Sequence, residues 1–439
     1  MEAVIYRFLF QNTGRGIYHS GCIWDKYKQN RLNFIYSNGI YEGTEKDNKS
    51  IYRFLPVEPI GLYILSDYNL FQLDRLLKIL KQTEIREIVL PYLAPVQRMV
   101  LKTEAEEQGW LTAAMSHFLN SPLHYLKKHG IEKVYFLHGT ESGQTLACHR
   151  QDLELPFKNL FQKKQEIIRR MEGHEYPVYC AGKMFRNGWL FQYAHFGTEL
   201  DEIWEFTRKF LDLDSEEGGE MEQQKLLFRS EALVKEYHER FGPVSASSSI
   251  VLYHGPVDDD PVKMDSMCFS KSIGKNEECC VTITEENEIC MLKCYFKNDF
   301  DTLKMQNNSF VTEYNNGVLL LGNVNLKEHI NFIMKYYGSL LKKARIISVP
   351  NSGKKGYWNS EIMNMKIGAE NRRFWICNNR PDIDERIPME IFLSDPYNRL
   401  IPITDDYGLC MTGFLKKWND EKKPRVSPIR ECTKDSSER

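Results

Sequence analysis

Imidazole is the side chain most often used for metal ligation and for proton transfer near neutral pH, and the chain carries 11 histidines. No two of them form an H-x-H pair and none stands in an H-E-x-x-H frame, so no metal clamp is written locally. His124 and His129 flank an expected helix end and read as capping or surface residues. His138 and His254 each close an expected strand, just before Gly139 and Gly255. That leaves a meeting near one sheet edge or two satisfied structural histidines. Asp258-Asp259-Asp260 gathers carboxylates that suit a hard cation or a solvated acidic loop.

The nucleophile and phosphate motifs are incomplete. Gly139-Thr140-Glu141-Ser142-Gly143 places its serine one position late for G-x-S-x-G. Gly353-Lys354-Lys355-Gly356 lacks the G-x-x-x-x-G-K-[ST] frame. The tightest group among 11 cysteines, Cys279, Cys280, Cys290 and Cys294, has no C-x-x-C pairing and reads as buried free thiols.

The elements that must position these residues follow from periodicity. Val4 to Phe10 and Leu32 to Tyr36 read as antiparallel strands punctuated by Asn12-Thr13-Gly14 and Asn38-Gly39. Gly61 to Leu65 is an unbroken apolar strand feeding a helix with Leu73, Leu76, Leu77 and Leu80 on one face. A second strand and helix follow at Glu87 to Leu90 and Val96 to Glu107, which is the order of a layered α/β sheet. Helical patterns fill Glu202 to Leu213 and Lys225 to Phe241. Strands resume from Ser249 through Ile289–Leu292 and Val318–Leu321, and a helix from Lys327 to Leu341 leads into Ile346–Pro350. The domain reading is therefore an N-terminal half at 1–150, a mainly helical insertion at 151–247, a C-terminal half at 248–412 and a disordered tail at 413–439.

Composition bounds the classes. With 439 residues, 42% hydrophobic and 27% charged, the chain is long and apolar enough to bury a large core. A formal net charge of -2 argues against a generally basic nucleic-acid binder. No run reaches the roughly 20 apolar residues of a spanning helix, and Glu2 and Arg7 interrupt any signal-peptide core, so the expectation is a cytoplasmic protein without membrane contact.

Several segments fall in the order of one family. Val318-Leu319-Leu320-Leu321-Gly322-Asn323 followed by Val349-Pro350-Asn351-Ser352-Gly353 resembles the LLLTGD and VPHHGS segments of metallo-β-lactamase-fold hydrolases. Leu62 to Leu73 occupies the place of their strand and histidine-rich loop. Trp375 to Asp382 and Ile403 to Asp406 resemble their closing strands. The likeness covers most of 1–150 and 248–412 and implies a four-layer αββα sandwich.

It also implies which chemistry is missing. Zinc in that family is held by histidine nitrogens and carboxylates at about 2.0–2.2 Å, with a bound hydroxide as nucleophile. Here the matching positions are Asp67, Asn69, Phe71, Gln72, Asn323, Asn351, Ser352 and Arg380, of which Asp67 alone is anionic. The resemblance thus implies a catalytically inactive member with no cofactor, a binding or regulatory subunit of the kind found in bacterial antiphage defence. Its partner would be a protein such as a defence protease, nuclease or NTPase. Lys354, Lys355 and Arg380, with Arg372, Arg373 and Arg399, would give the former metal face an anion-binding character suited to a nucleotide or nucleic acid. The alternatives are an unconventional nuclease or phosphodiesterase using zinc or manganese, and a structural subunit of a larger assembly.

Overall fold

The computed structural model describes residues 4–12, 16–25, 30–39, 59–138, 146–148, 176–178, 181–210, 230–244, 248–257, 262–273, 277–282, 317–364, 373–378, 398–403 and 407–415. Asp258 to Asp260, Gly139 to Gly143, the strand expected at Ile289–Leu292, Arg372 and Arg380 lie outside them.

In chain order the strands are β1 (Val4–Asn12), β2 (Ile17–Asp25), β3 (Asn30–Ser37), β4 (Ile60–Leu65), β5 (Ile85–Pro91), β6 (Lys133–Leu137), β7 (Leu146–Cys148), β8 (Tyr176–Val178), β9 (Ala181–Arg186), β10 (Trp189–Gly197), β11 (Ser248–Pro256), β12 (Val262–Ile273), β13 (Glu277–Thr282), β14 (Gly317–Leu320), β15 (Ala344–Ser348), β16 (Arg373–Asn378), β17 (Asn398–Ile403) and β18 (Tyr407–Leu415). The helices are α1 (Leu70–Ile79), α2 (Pro95–Glu107), α3 (Ala113–Asn120), α4 (Pro122–Lys128), α5 (Leu200–Phe210), α6 (Ser230–Phe241), α7 (Leu326–Tyr337) and α8 (Ser339–Lys343).

Two mixed sheets result. One runs β13-β12-β18-β1-β2-β3-β4-β5-β6 and the other β17-β16-β15-β14-β11-β10-β9, with a separate β7-β8 pair. Each large sheet contains an antiparallel meander, β1-β2-β3 or β9-β10-β11, whose last strand adjoins a parallel series, β4-β5-β6 or β14-β15-β16-β17. The parallel strands β4 and β14 read as unbroken apolar runs because both their faces are buried.

The sheets face each other. Phe8, Phe34, Ile64 and Val89 of the first share one core with Phe191, Leu252, Val318 and Phe374 of the second. The first sheet's other face is covered by α1 to α6, through residues such as Leu73, Val100, Phe118, Ile203 and Tyr237. The second sheet's outer face is covered by α7, α8 and the segment carrying Trp358 and Ile362. Among the described residues no helix is long and apolar enough to cross a membrane.

One expectation changes. Residues 181–197, inside the stretch read as a helical insertion, form β9 and β10, which complete the antiparallel half of the second sheet. Trp189 to Phe196 is buried throughout, so it shows no period-two alternation. The hairpin signal was nonetheless present: Asn187 and Gly188 adopt positive φ of 49° and 77° in the two-residue turn between Arg186 and Trp189. The helices α5 and α6 do fall in that stretch. β18 in turn reaches Leu415, into the segment expected to be a tail.

Candidate functional site

The carboxyl ends of β4 and β14 meet where the two sheets approach each other, and the residues just beyond them build one buried polar centre. After β4 the chain runs Ser66-Asp67-Tyr68-Asn69 into α1. The Asn69 Oδ1 accepts from the Gln72 N–H at 2.8 Å and caps that helix, so its Nδ2 is left to donate to Asp67 Oδ1 at 2.8 Å. Asn323, just past β14, donates from Nδ2 to Asp67 Oδ2 at 3.1 Å and to the Gly39 carbonyl at 3.2 Å. Two acceptors on one amide atom fix it as the nitrogen. The Ser66 hydroxyl donates to Asp67 Oδ2 at 2.9 Å.

The same residues fasten the sheets together. The Tyr36 hydroxyl donates to the Ile250 carbonyl at 2.8 Å, the Ile250 N–H to the Ser66 carbonyl at 2.7 Å, and the Asn323 N–H to Ser249 Oγ at 3.0 Å. Gly322 sits among them with φ of 58°. A β-carbon there would lie 2.6 Å from Ser249 Oγ and 2.8 Å from the Tyr36 hydroxyl, so the turn requires glycine both for its conformation and for its space.

Burial dominates the electrostatics. Asp67 is fully buried, and loss of water pushes its carboxyl up to about 7, against the opposing hydrogen bonds from Ser66, the Gly39 amide and Asn69 and the nearby charge of Arg75. Arg75 is buried below the site, 4.4 Å from the Phe71 ring centroid, with Nη1 at 3.5 Å from Ser37 Oγ. Burial likewise raises Tyr63 to about 12, so it stays neutral.

Of the positions matched to metal ligands, Asp67, Asn69 and Asn323 therefore come together. Gln72 is one turn below, accepting from Ser37 Oγ, and Asn351 joins through its backbone, its N–H donating to the Gly322 carbonyl at 3.0 Å. Phe71 does not face the centre but lies in the helix-side core under the Arg75 guanidinium. Ser352 sits by its backbone in the tight turn Pro350–Gly353. Lys354 and Lys355 are exposed on the loop beyond that turn, Lys354 Nζ lying 5.9 Å from the Tyr357 ring centroid. Arg373 does not converge here: it opens β16 at the opposite end of the strand, donating to the Leu341 carbonyl at 3.1 Å.

A divalent cation needs lone pairs directed at it from several oxygens or nitrogens. Asp67 instead meets three side-chain hydrogen-bond donors besides the Gly39 amide, and turning Asn69 to offer its oxygen would uncap α1. Among the described residues this donor set matches a carboxylate held by amides and does not fit zinc or manganese.

Histidine chemistry lies elsewhere, in pairs that spacing did not disclose. His254 meets His19, not His138, with Nε2 to Nε2 at 2.8 Å in the core between the sheets. Trp189 Nε1, a donor only, lies 3.0 Å from His254 Nδ1, and His19 Nδ1 lies 3.0 Å from the Leu9 carbonyl, an acceptor only. With both rings neutral, every proton is placed: Trp189 donates to His254, His254 to His19, and His19 to Leu9. Burial lowers His19 to about 3 and His254 well below its ordinary value. His138 instead stands beside His195, ring centroids 5.2 Å apart, and His195 Nε2 lies 2.9 Å from Ser248 Oγ. Burial takes His138 down to about 4. The signal for the His19–His254 meeting was that both residues fall within strands flanked by aromatic neighbours.

No protein-family model matches the chain, and no curated protein matches it.

Proposed function

We propose that this chain is a non-catalytic protein of the metallo-β-lactamase-like αββα type that serves as a binding or regulatory subunit. The observation that supports this reading is that Asp67 accepts hydrogen bonds from Ser66, Asn69 and Asn323 on both of its oxygens. Two sheets with matching antiparallel and parallel halves, joined at the carboxyl ends of β4 and β14, are the arrangement that such a sandwich requires. The partner under this reading is another protein of a bacterial defence assembly, a protease, nuclease or NTPase, which supplies the chemistry.

One feature favours an enzyme instead: burial pushes the Asp67 carboxyl up to about 7, a range suited to proton transfer. The deciding experiment is elemental analysis of the purified protein together with hydrolysis of a phosphodiester reporter, for the native chain and for Asp67→Ala. The expected result is substoichiometric zinc and manganese and no hydrolysis in either. Stoichiometric metal or hydrolysis that disappears in Asp67→Ala overturns the proposal and establishes the hydrolase.

A further inference from the structure

The outer layer of the second sheet carries charge of one sign. Residues 326–364 hold six lysines and the buried Arg345 against two carboxylates, Glu328 and Glu361, on a chain whose net charge is -2. The helix period turns the lysines outward. In α7, Leu326, Ile330, Ile333 and Tyr337 are buried, so Lys327 and Lys335, two turns apart, stand on the solvent side with Asn331 between them. Lys342 is exposed on α8, and Lys354 and Lys355 are exposed on the loop after β15, where Lys355–Tyr357 packs against α7. Lys183 joins from β9: its cross-strand partner Gln192 donates from Nε2 to the Tyr336 carbonyl at 3.2 Å, beside the last turn of α7. The band thus runs the length of α7, about 18 Å at 1.5 Å per residue. Among the described residues, none of these six lysines takes part in an ion pair. Glu328 is engaged by Asn325 Nδ2 at 2.7 Å and stands 3.8 Å from His329 Nε2, while Glu361 is exposed in the segment Ser360–Asn364.

We infer that this face binds duplex DNA through its phosphates, without regard to sequence. A duplex carries about one charge per 1.7 Å of its axis, so a band of this length lies along roughly ten phosphates. Ammonium groups on flexible stems are point charges that meet phosphates without fixing a base. Other anionic partners draw on features that this face lacks. The core of a protein interface and a membrane contact are both anchored by exposed apolar side chains, and single strands by bases stacked on open aromatic rings. Among the described residues the exposed large hydrophobic side chain is Trp24, on the first sheet. Phe332 and Tyr336 of α7 are half-buried and stacked on each other, ring centroids 5.5 Å apart. The band shares no residue with the Asp67 centre, so it does not depend on the reading given there.

Fluorescence anisotropy of a labelled, mixed-sequence DNA duplex tests this on the full chain. It is repeated on a band variant carrying Lys327→Gln, Lys335→Gln and Lys342→Gln, and on a control carrying Lys81→Gln, Lys127→Gln and Lys128→Gln. All six side chains are exposed, and the control makes the same change in net charge on the first sheet's helical layer. Circular dichroism checks that both keep the fold. The native chain is expected to bind with an affinity that falls about 10²- to 10³-fold between 50 and 200 mM salt, as some four to six phosphate contacts require. The band variant is expected to bind about tenfold more weakly or worse, with a log–log salt slope shallower by about 2 to 3, and the control to match the native chain. Equal affinity for a duplex of unrelated sequence is expected, and a preference of about tenfold or more overturns contact through phosphates alone. No binding at low salt, or equal weakening by the band variant and the control, overturns the inference. So does tighter binding of a single-stranded oligonucleotide, duplex RNA, poly-glutamate or phosphatidylserine vesicles than of the DNA duplex.

Discussion

Asp67 and the His19–His254 pair are buried ionisable groups that stay in the core by opposite means, and they push stability in opposite directions with pH. Asp67 titrates near 7 when folded against 3.8 when exposed. Between those values the folded chain holds a proton that the unfolded chain has released, so the stabilisation present below pH 3.8 is lost as pH rises through 7. His19 and His254 are neutral when folded and charge when unfolded below 6.5, so their contribution is present above 6.5 and lost as pH falls toward 3. Urea unfolding of Asp67→Asn is expected to lose this falling limb between pH 3.8 and 7. An unchanged limb would assign the titration to another group. Asp67→Ala, which strands the donors of Ser66, Asn69 and Asn323, is expected to lower the unfolding free energy by about 2–4 kcal/mol. Nitrogen-15 spectra of histidine-labelled protein are expected to show His19 protonated at Nδ1 and His254 at Nε2; the reverse tautomers would break the Trp189 to Leu9 chain.

The turns and caps fix the candidate site, and here sequence and structure can be compared element by element. The helix after β4 was legible because it carries a local signal, an apolar i, i+3, i+4 pattern, whereas Asp67 and Asn69 offered equal capping residues and the structure selects Asn69. The convergence of Asn69 and Asn323 on Asp67 was legible through the order of matching segments. The destination of Phe71 was not, because a residue in the first turn of a helix faces whichever layer the helix settles on. Nor was β10, whose complete burial erases alternation. Gly322→Ala is expected to cost about 1–3 kcal/mol, combining positive φ with collision against Ser249 and Tyr36. Gly356→Ala, where a β-carbon meets nothing within 4 Å, is expected to be nearly neutral when thermal melts of the two variants are compared. Equal shifts for the two would mean that the turn after β14 relaxes freely.

Across the whole molecule the two sheets share one core, so heat or urea is expected to unfold the described strands in a single transition seen alike by fluorescence and circular dichroism. Two separated transitions would show that each half stands alone. What sequence could not disclose at this scale is which strands pair across long separations: apolar period marks a strand but not its neighbour. The largest case is β18, which lies between β12 and β1 and pairs Val4 with Leu415. As the chain leaves the ribosome, β1 finds β2 at once, yet its other edge waits for nearly the whole remaining chain. At about 5–20 residues per second that wait is roughly 20 to 80 seconds. Throughout it, a strand carrying Tyr6, Phe8 and Phe10 presents an open backbone edge, the kind of surface on which unfinished chains associate.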